Sequence, residues 1–212
     1  MDLKRRYGAE IVEIPVSGEG IVDLEKLQLA LTENTILVSV QMVNSEMGVI
    51  QPIKEIGEII KNYKLIRQLA DKNSIHPLFH VDAVQAFQYI KCDMADLGVD
   101  MMTLSAHKIY GPKGIGLLYV KNSNLLSPLV IGGGQENGMR SGTENVAAIV
   151  GFAKAVEITE KMRSKESKRV AALSSALWKG IKKIIPDAEL NGPSAGSADR
   201  VPNNISVYIP GR

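Results

Sequence analysis

The sequence predicts an α/β fold, in which a mostly parallel sheet flanked by helices is followed by the beginning of a smaller α+β domain. Along the first two thirds of the chain, short apolar runs alternate with longer amphipathic segments, which is typical of parallel strands joined by helices. After Thr143 the pattern changes to charged amphipathic helix and then to one short strand. We therefore expect a major domain over residues 1–150, and linking helices with an incomplete second domain over residues 151–212.

The first half of the chain carries clear local signals. The run GAEIVEIPV predicts a strand, and Asp23 is a predicted N-cap for the helix through LEKLQLALT. TILVSVQMV is nearly continuously apolar, as expected of a strand covered on both faces. Pro52 is expected to begin a helix, because apolar residues recur after it at helical spacing: Ile53, Ile56, Ile60, Tyr63, Ile66 and Leu69.

The second half adds three strands and a helical region. PLFHVDAV and MMTLSAH are typical of buried strands, and GIGLLYVK predicts a strand after the turn GPKG. Residues 144–185 predict one or two charged helices with Leu177 and Trp178 on an apolar face. ISVYI predicts a last strand. Because a helix pair and a lone strand cannot complete a small domain, we expect the chain to be truncated.

Composition restricts the class of protein. The 212 residues are 45% hydrophobic and 23% charged, with a net charge of +2, as in a globular protein with a core. Acidic and basic residues are interspersed, so nothing predicts a nucleic-acid partner or a membrane-surface patch. No apolar run is long enough to span a bilayer, and the N-terminal residues lack the apolar stretch of a secretory signal. We expect a cytoplasmic protein.

The single cysteine, Cys92, excludes an internal disulfide framework and an all-cysteine metal site. It lies in QYIKCDMADLGVD, where it alternates with apolar residues. A reactive thiolate needs an accessible, electropositive setting. The pattern therefore favours a small buried thiol over a nucleophile.

Polar clusters follow three of the predicted strands: VNSEMG, VDAVQA and SAHK. Ligands of open parallel sheets bind beyond the carboxyl ends of the strands, so these clusters are expected to converge on one crevice. GPKGIG does not match the phosphate-binding loop of nucleotide hydrolases, and no G-x-G-x-x-G follows the first strand. These absences disfavour nucleotide hydrolysis and a Rossmann dehydrogenase.

Lys108 is the central candidate for chemistry. Its amine can condense with an aldehyde cofactor if the site makes the amine nucleophilic. The alternative is an ordinary surface lysine near a Gly-Pro turn. Its position after His107 at a strand end, followed at once by a tight loop and another strand, favours the cofactor role.

Asp82 and Gln85 are the second pair of candidates. A carboxylate at the end of an apolar strand needs a partner, and opposite a pyridine nitrogen Asp82 would stabilise the protonated ring. The alternative is a cap for the following turn. Gln85 could donate to a phenolic oxygen, or it is simply an exposed amide.

Three further side chains could bind a phosphate. The hydroxyl of Ser105 and the imidazole of His107 can both donate hydrogen bonds, although a packed core histidine is the alternative for His107. Thr143, in GGGQENGMRSGTEN, could bind phosphate at a helix start. His76 and His80 share no metal-ligand spacing with acidic residues, so a metal site is not expected.

These motifs make the sequence recognisable. HVDAVQA, SAHKIYGPKGIGLLYV, GGGQENGMRSGTEN and VNSEMGVIQPI together resemble the NifS/IscS-type cysteine desulfurases, pyridoxal-phosphate enzymes of fold type I in the class V aminotransferase family. The resemblance extends from GAEIVEIPV to VPNNISVYI. It implies a transferase that converts L-cysteine to L-alanine and passes sulfur through an enzyme persulfide to iron–sulfur cluster or thio-cofactor synthesis.

The resemblance also implies roles for individual residues. Lys108 is similar to the lysine that forms a Schiff base with pyridoxal 5'-phosphate and later moves protons at the substrate carbon. Asp82 resembles the partner of the pyridine nitrogen, and Gln85 the residue near the phenolic oxygen. Ser105 and His107 resemble the phosphate ligands of the same subunit. Thr143 resembles the threonine offered to the neighbouring subunit's phosphate, which implies a homodimer with shared sites. The resemblance further implies L-cysteine and a sulfur-acceptor protein as partners.

The sequence departs from the family pattern in two ways. Asn44 and Ser45 stand where the family commonly has two asparagines, so the contact of the second asparagine is weakened or passes to Ser45. The upstream phosphate-binding loop and ring-stacking histidine, and the downstream loop with the reactive cysteine, have no counterpart here. We therefore expect little or no desulfurase activity from this segment alone. Alternatives are a selenocysteine lyase, a related aminotransferase, or a non-catalytic fragment or scaffold.

Overall fold

The computed structural model describes residues 2–123 and 126–211. A short 3-10 helix, Ala106–Ile109, follows the third strand, and a second, Glu136–Gly138, lies in the loop before the last helix. The helices and strands in chain order are α1 (Asp2–Tyr7), α2 (Leu24–Ala30), β1 (Leu37–Gln41), α3 (Ile53–Ala70), β2 (Leu78–Asp82), β3 (Met101–Ser105), β4 (Gly116–Val120), α4 (Val146–Ile184), β5 (Glu189–Leu190) and β6 (Val207–Tyr208).

The main sheet has the strand order β1-β2-β3-β4. β1, β2 and β3 are parallel, and β4 returns antiparallel to β3. β5 and β6 form a separate antiparallel pair. The predicted α/β class with a mostly parallel sheet is confirmed. The domain division at residue 150 stays a prediction, and α4 runs unbroken through that point.

One face of the sheet is covered by α3. Ile53, Ile56 and Ile60 of this helix are buried in one cluster with Phe79 and Val81 of β2, because residues spaced by three and four share a helix face. The predicted helix is confirmed. Its last turns extend beyond the core, since Ile66 is 64% and Leu69 88% exposed.

Gly57 explains how closely α3 approaches the rest of the core. A Cβ at this position would lie 2.4 Å from the carbonyl oxygen of Leu97. No side chain fits there without a backbone shift. The glycine therefore lets the helix press against the loop that leads into β3.

The other face of the sheet is open along β1 and β4 in the described part of the chain. Leu37, Ser39 and Gln41 of β1 are exposed on it, and Leu118 of β4 is 49% exposed. The prediction that the β1 run is covered on both faces is therefore wrong. β1 lies at the edge of the described sheet, and α3 covers only one side.

The GAEIVEIPV segment does not form the predicted strand. Only Val16 pairs, in an isolated bridge with Val22, and Ile11 and Val12 are 50% and 58% exposed. Branched residues favour extended structure only where a neighbouring strand supplies the hydrogen bonds. The Asp23 cap is confirmed, since its Oδ1 accepts from the Lys26 N–H at 3.0 Å.

The region after Thr143 is one helix of 39 residues rather than two. Phe152, Ala155 and Thr159 are its buried residues. Leu177 is 57% exposed and Trp178 is half-buried, so the predicted apolar face is only partly covered among the described residues. Of the predicted ISVYI strand, Val207–Tyr208 alone pairs.

The C-terminal segment packs back onto the hairpin that follows β1. The Ile50 N–H donates to the Asp199 carbonyl at 2.8 Å, and the Val201 N–H donates to the Gly48 carbonyl at 2.9 Å. Arg200 is buried and donates to the carbonyls of Pro193 and Asn191. These contacts fix the VNSEMG turn, which lies beyond the end of β1.

Candidate cofactor site

Two of the predicted clusters lie at the same edge of the sheet. β2 and β3 are parallel neighbours, and Asp82, the last residue of β2, pairs with Thr103. The Ala83 N–H continues the ladder by donating to the Thr103 carbonyl at 3.0 Å. Ser105 ends β3 at this edge. Asp82 and Ser105 therefore lie where open parallel sheets bind ligands.

Lys108 lies in the 3-10 turn that follows β3 directly. The N–H groups of Tyr110 and Gly111 both donate to the Ala106 carbonyl, and Tyr110 ends the turn with a φ of 63°. Ala106 and Ile109 are buried, whereas His107 and Lys108 are exposed. The turn thus presents the imidazole and the amine outward from an anchored base.

Helix α4 packs closely against this turn. A Cβ on Gly111 would lie 3.1 Å from the Ala155 Cβ, and one on Gly151 would lie 2.7 Å from Cγ of Pro112. Small residues at these positions allow the close contact. A cleft between the turn and α4 is lined by apolar side chains such as Ile109 and Met162, and the predicted cofactor ligands do not line it.

Ser105 and His107 contact each other. The Oγ of Ser105 lies 2.8 Å from Nδ1 of His107. Their mutual hydrogen bond uses one donor, and the pair keeps a second donor beside the strand end that is suited to a phosphate. The alternative of a packed core histidine is excluded for His107, because its side chain is exposed.

Asp82 caps the turn that follows β2, which was the alternative to its cofactor role, and its side chain remains accessible. Its Oδ1 accepts from the Val84 N–H at 3.0 Å, which shapes the turn after β2 as short polar side chains commonly do. The residue is exposed, and the turn uses one of its two carboxylate oxygens. Gln85 follows in the same turn and is half-buried.

Thr143 lies on a different loop from the other predicted ligands. It is exposed in the loop before Val146, where α4 begins. The preceding loop is held by the Gly142 N–H, which donates to Oε1 of Gln135 at 3.0 Å. Within residues 2–123 and 126–211, no hydrogen bond joins Thr143 to the cluster around Lys108.

The VNSEMG turn already uses one atom of its asparagine. Oδ1 of Asn44 accepts from the N–H groups of Glu46 at 3.0 Å and Met47 at 2.8 Å. Asn204 donates to the Glu46 carbonyl at 2.9 Å and braces the same turn. Ser45 is exposed, so its hydroxyl is the more accessible of the two side-chain groups.

Cys92 is buried, as the sequence pattern predicts. Its thiol lies 3.8 Å from the Met42 sulfur, and burial raises the pKa of the thiol to about 12. A thiol in this state supplies almost no thiolate near neutral pH. The structural interpretation of Cys92 is confirmed.

His80 is the polar residue that sequence reasoning missed. Its Nδ1 lies 2.8 Å from Oγ of Ser39, and its Nε2 lies 2.8 Å from Oγ1 of Thr103. Burial lowers the pKa of the imidazole, and the Asp82 charge opposes this shift. The signal was present in HVD, because residues two apart on a strand share a face.

The described residues show neither a candidate metal site nor a candidate membrane-spanning helix. In the described residues, no group of three or more histidine, cysteine, aspartate and glutamate side chains could hold a metal ion. None of the helices in residues 2–123 and 126–211 combines the length and apolar character needed to cross a bilayer.

Known proteins resemble this chain over nearly all of its length. It matches the family described as aminotransferase class-V over residues 1–210. A cysteine desulfurase IscS from Clostridium botulinum is 44% identical over 206 residues, which cover 97% of this chain and 49% of the relative. The chain thus spans about half the length of the curated relatives it matches.

Solved structures share the fold. A NifS-like protein superposes with a TM-score of 0.86 at 36% identity, covering 99% of this chain and 53% of that protein. A structure named SspA in complex with cysteine has a TM-score of 0.60 at 39% identity, covering 68% of this chain and 38% of that one. The family match over residues 1–210 shows that the chain belongs to the class-V aminotransferase family.

Proposed function

We propose that this chain binds pyridoxal 5'-phosphate at the carboxyl ends of β2 and β3, and that it is part of an enzyme that removes sulfur from L-cysteine. The observation that carries the proposal is the placement of Lys108. An exposed amine follows the hydrogen-bonded pair Ser105 and His107 in an anchored turn, beside the strand that ends in Asp82.

The donor set fits the chemistry of this cofactor. An aldehyde needs a primary amine, which Lys108 offers. A pyridine nitrogen that must hold a proton needs a carboxylate, which Asp82 offers. A phosphate needs hydrogen-bond donors, which Ser105 and His107 offer. All four side chains lie at adjacent strand ends of one sheet edge.

Each residue then has a distinct task. Asp82 holds a proton at the ring nitrogen, and Gln85 donates to the phenolic oxygen. Ser105 and His107 hold the phosphate, while the Lys108 amine moves protons at the α-carbon and β-carbon of the substrate. The cofactor, when bound, supplies an electron sink for the electrons released at the substrate carbon.

The sulfur-accepting thiol is assigned to residues outside these 212. In the complete reaction a thiolate attacks the sulfur of L-cysteine, the carbon–sulfur bond breaks, and its electron pair and a proton complete L-alanine, leaving a persulfide on the attacking cysteine. Cys92 cannot serve, because it is buried and its raised pKa keeps it a thiol. We expect no persulfide on this chain alone.

The comparisons support this assignment. The chain belongs to the class-V aminotransferases, and several curated relatives are named cysteine desulfurases. L-cysteine as substrate is supported by the similarity to SspA, whose structure is described as a complex with cysteine. The protein that finally accepts the sulfur is expected to be a separate partner, and a cytoplasmic location stays part of the proposal.

A homodimer is proposed from the position of Thr143. Its hydroxyl is exposed in the loop before α4, where it is accessible to the phosphate bound by a second copy of the chain. The site would then be completed by two subunits. Selenocysteine lyases and aminotransferases of this family would use the same Lys108 and Asp82, and a substrate test separates them.

The proposal is tested by cofactor retention. The purified chain is incubated with pyridoxal phosphate, freed of excess by dialysis, and examined for bound cofactor by absorbance. Lys113→Ala is the matched control, because Lys113 is an exposed lysine of the same loop. We expect Lys108→Ala to retain at least about tenfold less cofactor and Lys113→Ala to match the unaltered chain.

The substrate is tested on the same samples. Addition of L-cysteine is expected to change the absorbance of the bound cofactor, and Cys92→Ala should respond like the unaltered chain. Equal retention by Lys108→Ala and Lys113→Ala would overturn the cofactor site. A response to L-alanine or L-selenocysteine without one to L-cysteine would overturn the substrate.

A further inference from the structure

His80 lies directly below the proposed cofactor edge. It precedes Asp82 by two residues on β2, so both side chains lie on the open face of the sheet. Ser39 is its direct partner on β1, and Thr103, the partner of Asp82, lies diagonally across on β3. The imidazole thus lies on the middle strand, between side chains of β1 and β3, and the ends of all three strands carry the polar clusters.

Both ring nitrogens of His80 are occupied. Nδ1 is 2.8 Å from the Ser39 hydroxyl, and Nε2 is 2.8 Å from the Thr103 hydroxyl. A neutral imidazole donates from one nitrogen and accepts at the other, and a hydroxyl can take either part. The neutral ring therefore satisfies both neighbours and ties β1, β2 and β3 together in one row.

The surroundings of the imidazole disfavour its charged form. Its hydrogen-bond partners on β1 and β3 are uncharged hydroxyls, those of Ser39 and Thr103, and its direct partner on β3 is the apolar Met101. In the part of the chain that the structure describes, Asp82 of its own strand is the one charged group that acts on its pKa, and burial outweighs that attraction. An imidazolium at this place would compete with a ring nitrogen for the Asp82 carboxylate.

We propose that His80 is a positioning residue, which as a neutral ring ties the three strand ends together and leaves the charge of Asp82 to the cofactor's pyridine nitrogen. The inference rests on the proposed function and deepens it. It assigns to the Ser39–His80–Thr103 row the task of keeping Asp82 available. If these three side chains only stabilised the sheet, cofactor binding would not depend on the charge of His80.

The first test needs no cofactor. In the ¹⁵N spectrum of the chain, with His80→Gln used for assignment, His80 is expected to be neutral at pH 7 and to change its nitrogen shifts in Thr103→Val. His76→Gln is the control, because His76 contacts the Ile36 carbonyl instead. A charged His80 at pH 7 would overturn the proposal. So would His80 nitrogen shifts that are the same in Thr103→Val and in the unaltered chain.

The second test is the pH profile of cofactor retention. His80→Gln keeps a donor and an acceptor and cannot become charged. Between about pH 7 and pH 5 the unaltered chain and His76→Gln should lose at least about twofold more cofactor than His80→Gln. If cofactor retention decreases equally in acid in the unaltered chain, His76→Gln and His80→Gln, only this inference is overturned. No retention by the unaltered chain at any pH overturns the proposed function and this inference with it.

Discussion

The two ends of the sheet treat their carboxylates differently. At the amino end, Asp100 precedes β3, is 8% exposed, and accepts from the Phe79 N–H at 2.8 Å and from Nζ of Lys64 at 2.6 Å. At the carboxyl end, Asp82 is exposed and accepts one local hydrogen bond from the Val84 N–H. The fold gives the buried Asp100 carboxylate a cation and a backbone N–H as partners, whereas Asp82 has one backbone partner and is exposed.

This difference separates structural polar groups from binding groups. A buried charge is tolerated only where it is paired and hydrogen-bonded, so Asp100 and Lys64 belong to the fold. Asp82, His107 and Lys108 are exposed at one edge. Their hydrogen bonds are local where they have them, and the three side chains are accessible to a ligand. Variants that disturb one end should therefore alter stability, and variants at the other end should alter binding.

The largest expected effect on stability is at the amino end. Asp100→Asn would remove a charge whose partner, Lys64, has a side chain only 20% exposed. Removal of one partner of a buried ion pair costs about 3–5 kcal/mol of unfolding free energy, which urea unfolding would measure. A loss no larger than that of Asp82→Asn would break the contrast between the two ends.

A double-mutant cycle sharpens the same point. Lys64→Met also leaves a buried charge alone, but the variant with both changes leaves none. We expect the double variant to be more stable than the sum of the two single losses implies, by about 1–3 kcal/mol. Strict additivity in urea unfolding would mean that the pair at 2.6 Å does not act as a unit.

The sequence predicts the regular core better than it predicts exposure. β2, β3 and α3 were recognisable because their apolar periodicity reflects burial that the described chain supplies. GAEIVEIPV and the β1 run carry the same apolar character, but nothing in the described residues covers them fully. Local patterns report what a segment can bury, and only the surrounding structure decides whether it does.

The candidate site shows the same limit. The positions of Lys108, Ser105 and His107 at a strand end and the following turn could be predicted from the sequence, and their roles stay predictions. The bond between His80 and Thr103 joins residues 23 positions apart, and it depends on the register of β2 against β3. No spacing within the sequence encodes that register directly.

A smaller effect is expected in acid. The pKa of His80 lies below its ordinary value of 6.5 because burial disfavours the charge. The unfolded chain therefore takes up a proton near that value while the folded chain stays neutral, so the free energy of unfolding decreases as pH falls from 6.5 through the folded pKa. Urea unfolding at several pH values should show a shallower decrease in His80→Gln than in His76→Gln. If the unfolding free energy decreases equally with pH in both variants, the acid sensitivity arises from groups other than His80.

The smallest effect on stability is expected for Asp82→Asn. The amide oxygen of asparagine can still accept from the Val84 N–H, and the residue is exposed. The unfolding free energy should change by no more than about 0.5 kcal/mol. Cofactor retention should nevertheless fall, because a neutral amide cannot stabilise a protonated ring nitrogen. Loss of stability comparable to Asp100→Asn would show that Asp82 serves the fold.

The most direct measurement is a map of the lysine that captures pyridoxal phosphate. The chain is incubated with the cofactor, reduced with borohydride, digested, and examined by mass spectrometry, with Lys108→Ala alongside. We expect one dominant adduct at Lys108, its absence in the variant, and none at Lys64 at the opposite end of the sheet. An adduct at Lys64, or labelling spread evenly over the exposed lysines, would contradict the assignment of the carboxyl end as the cofactor site.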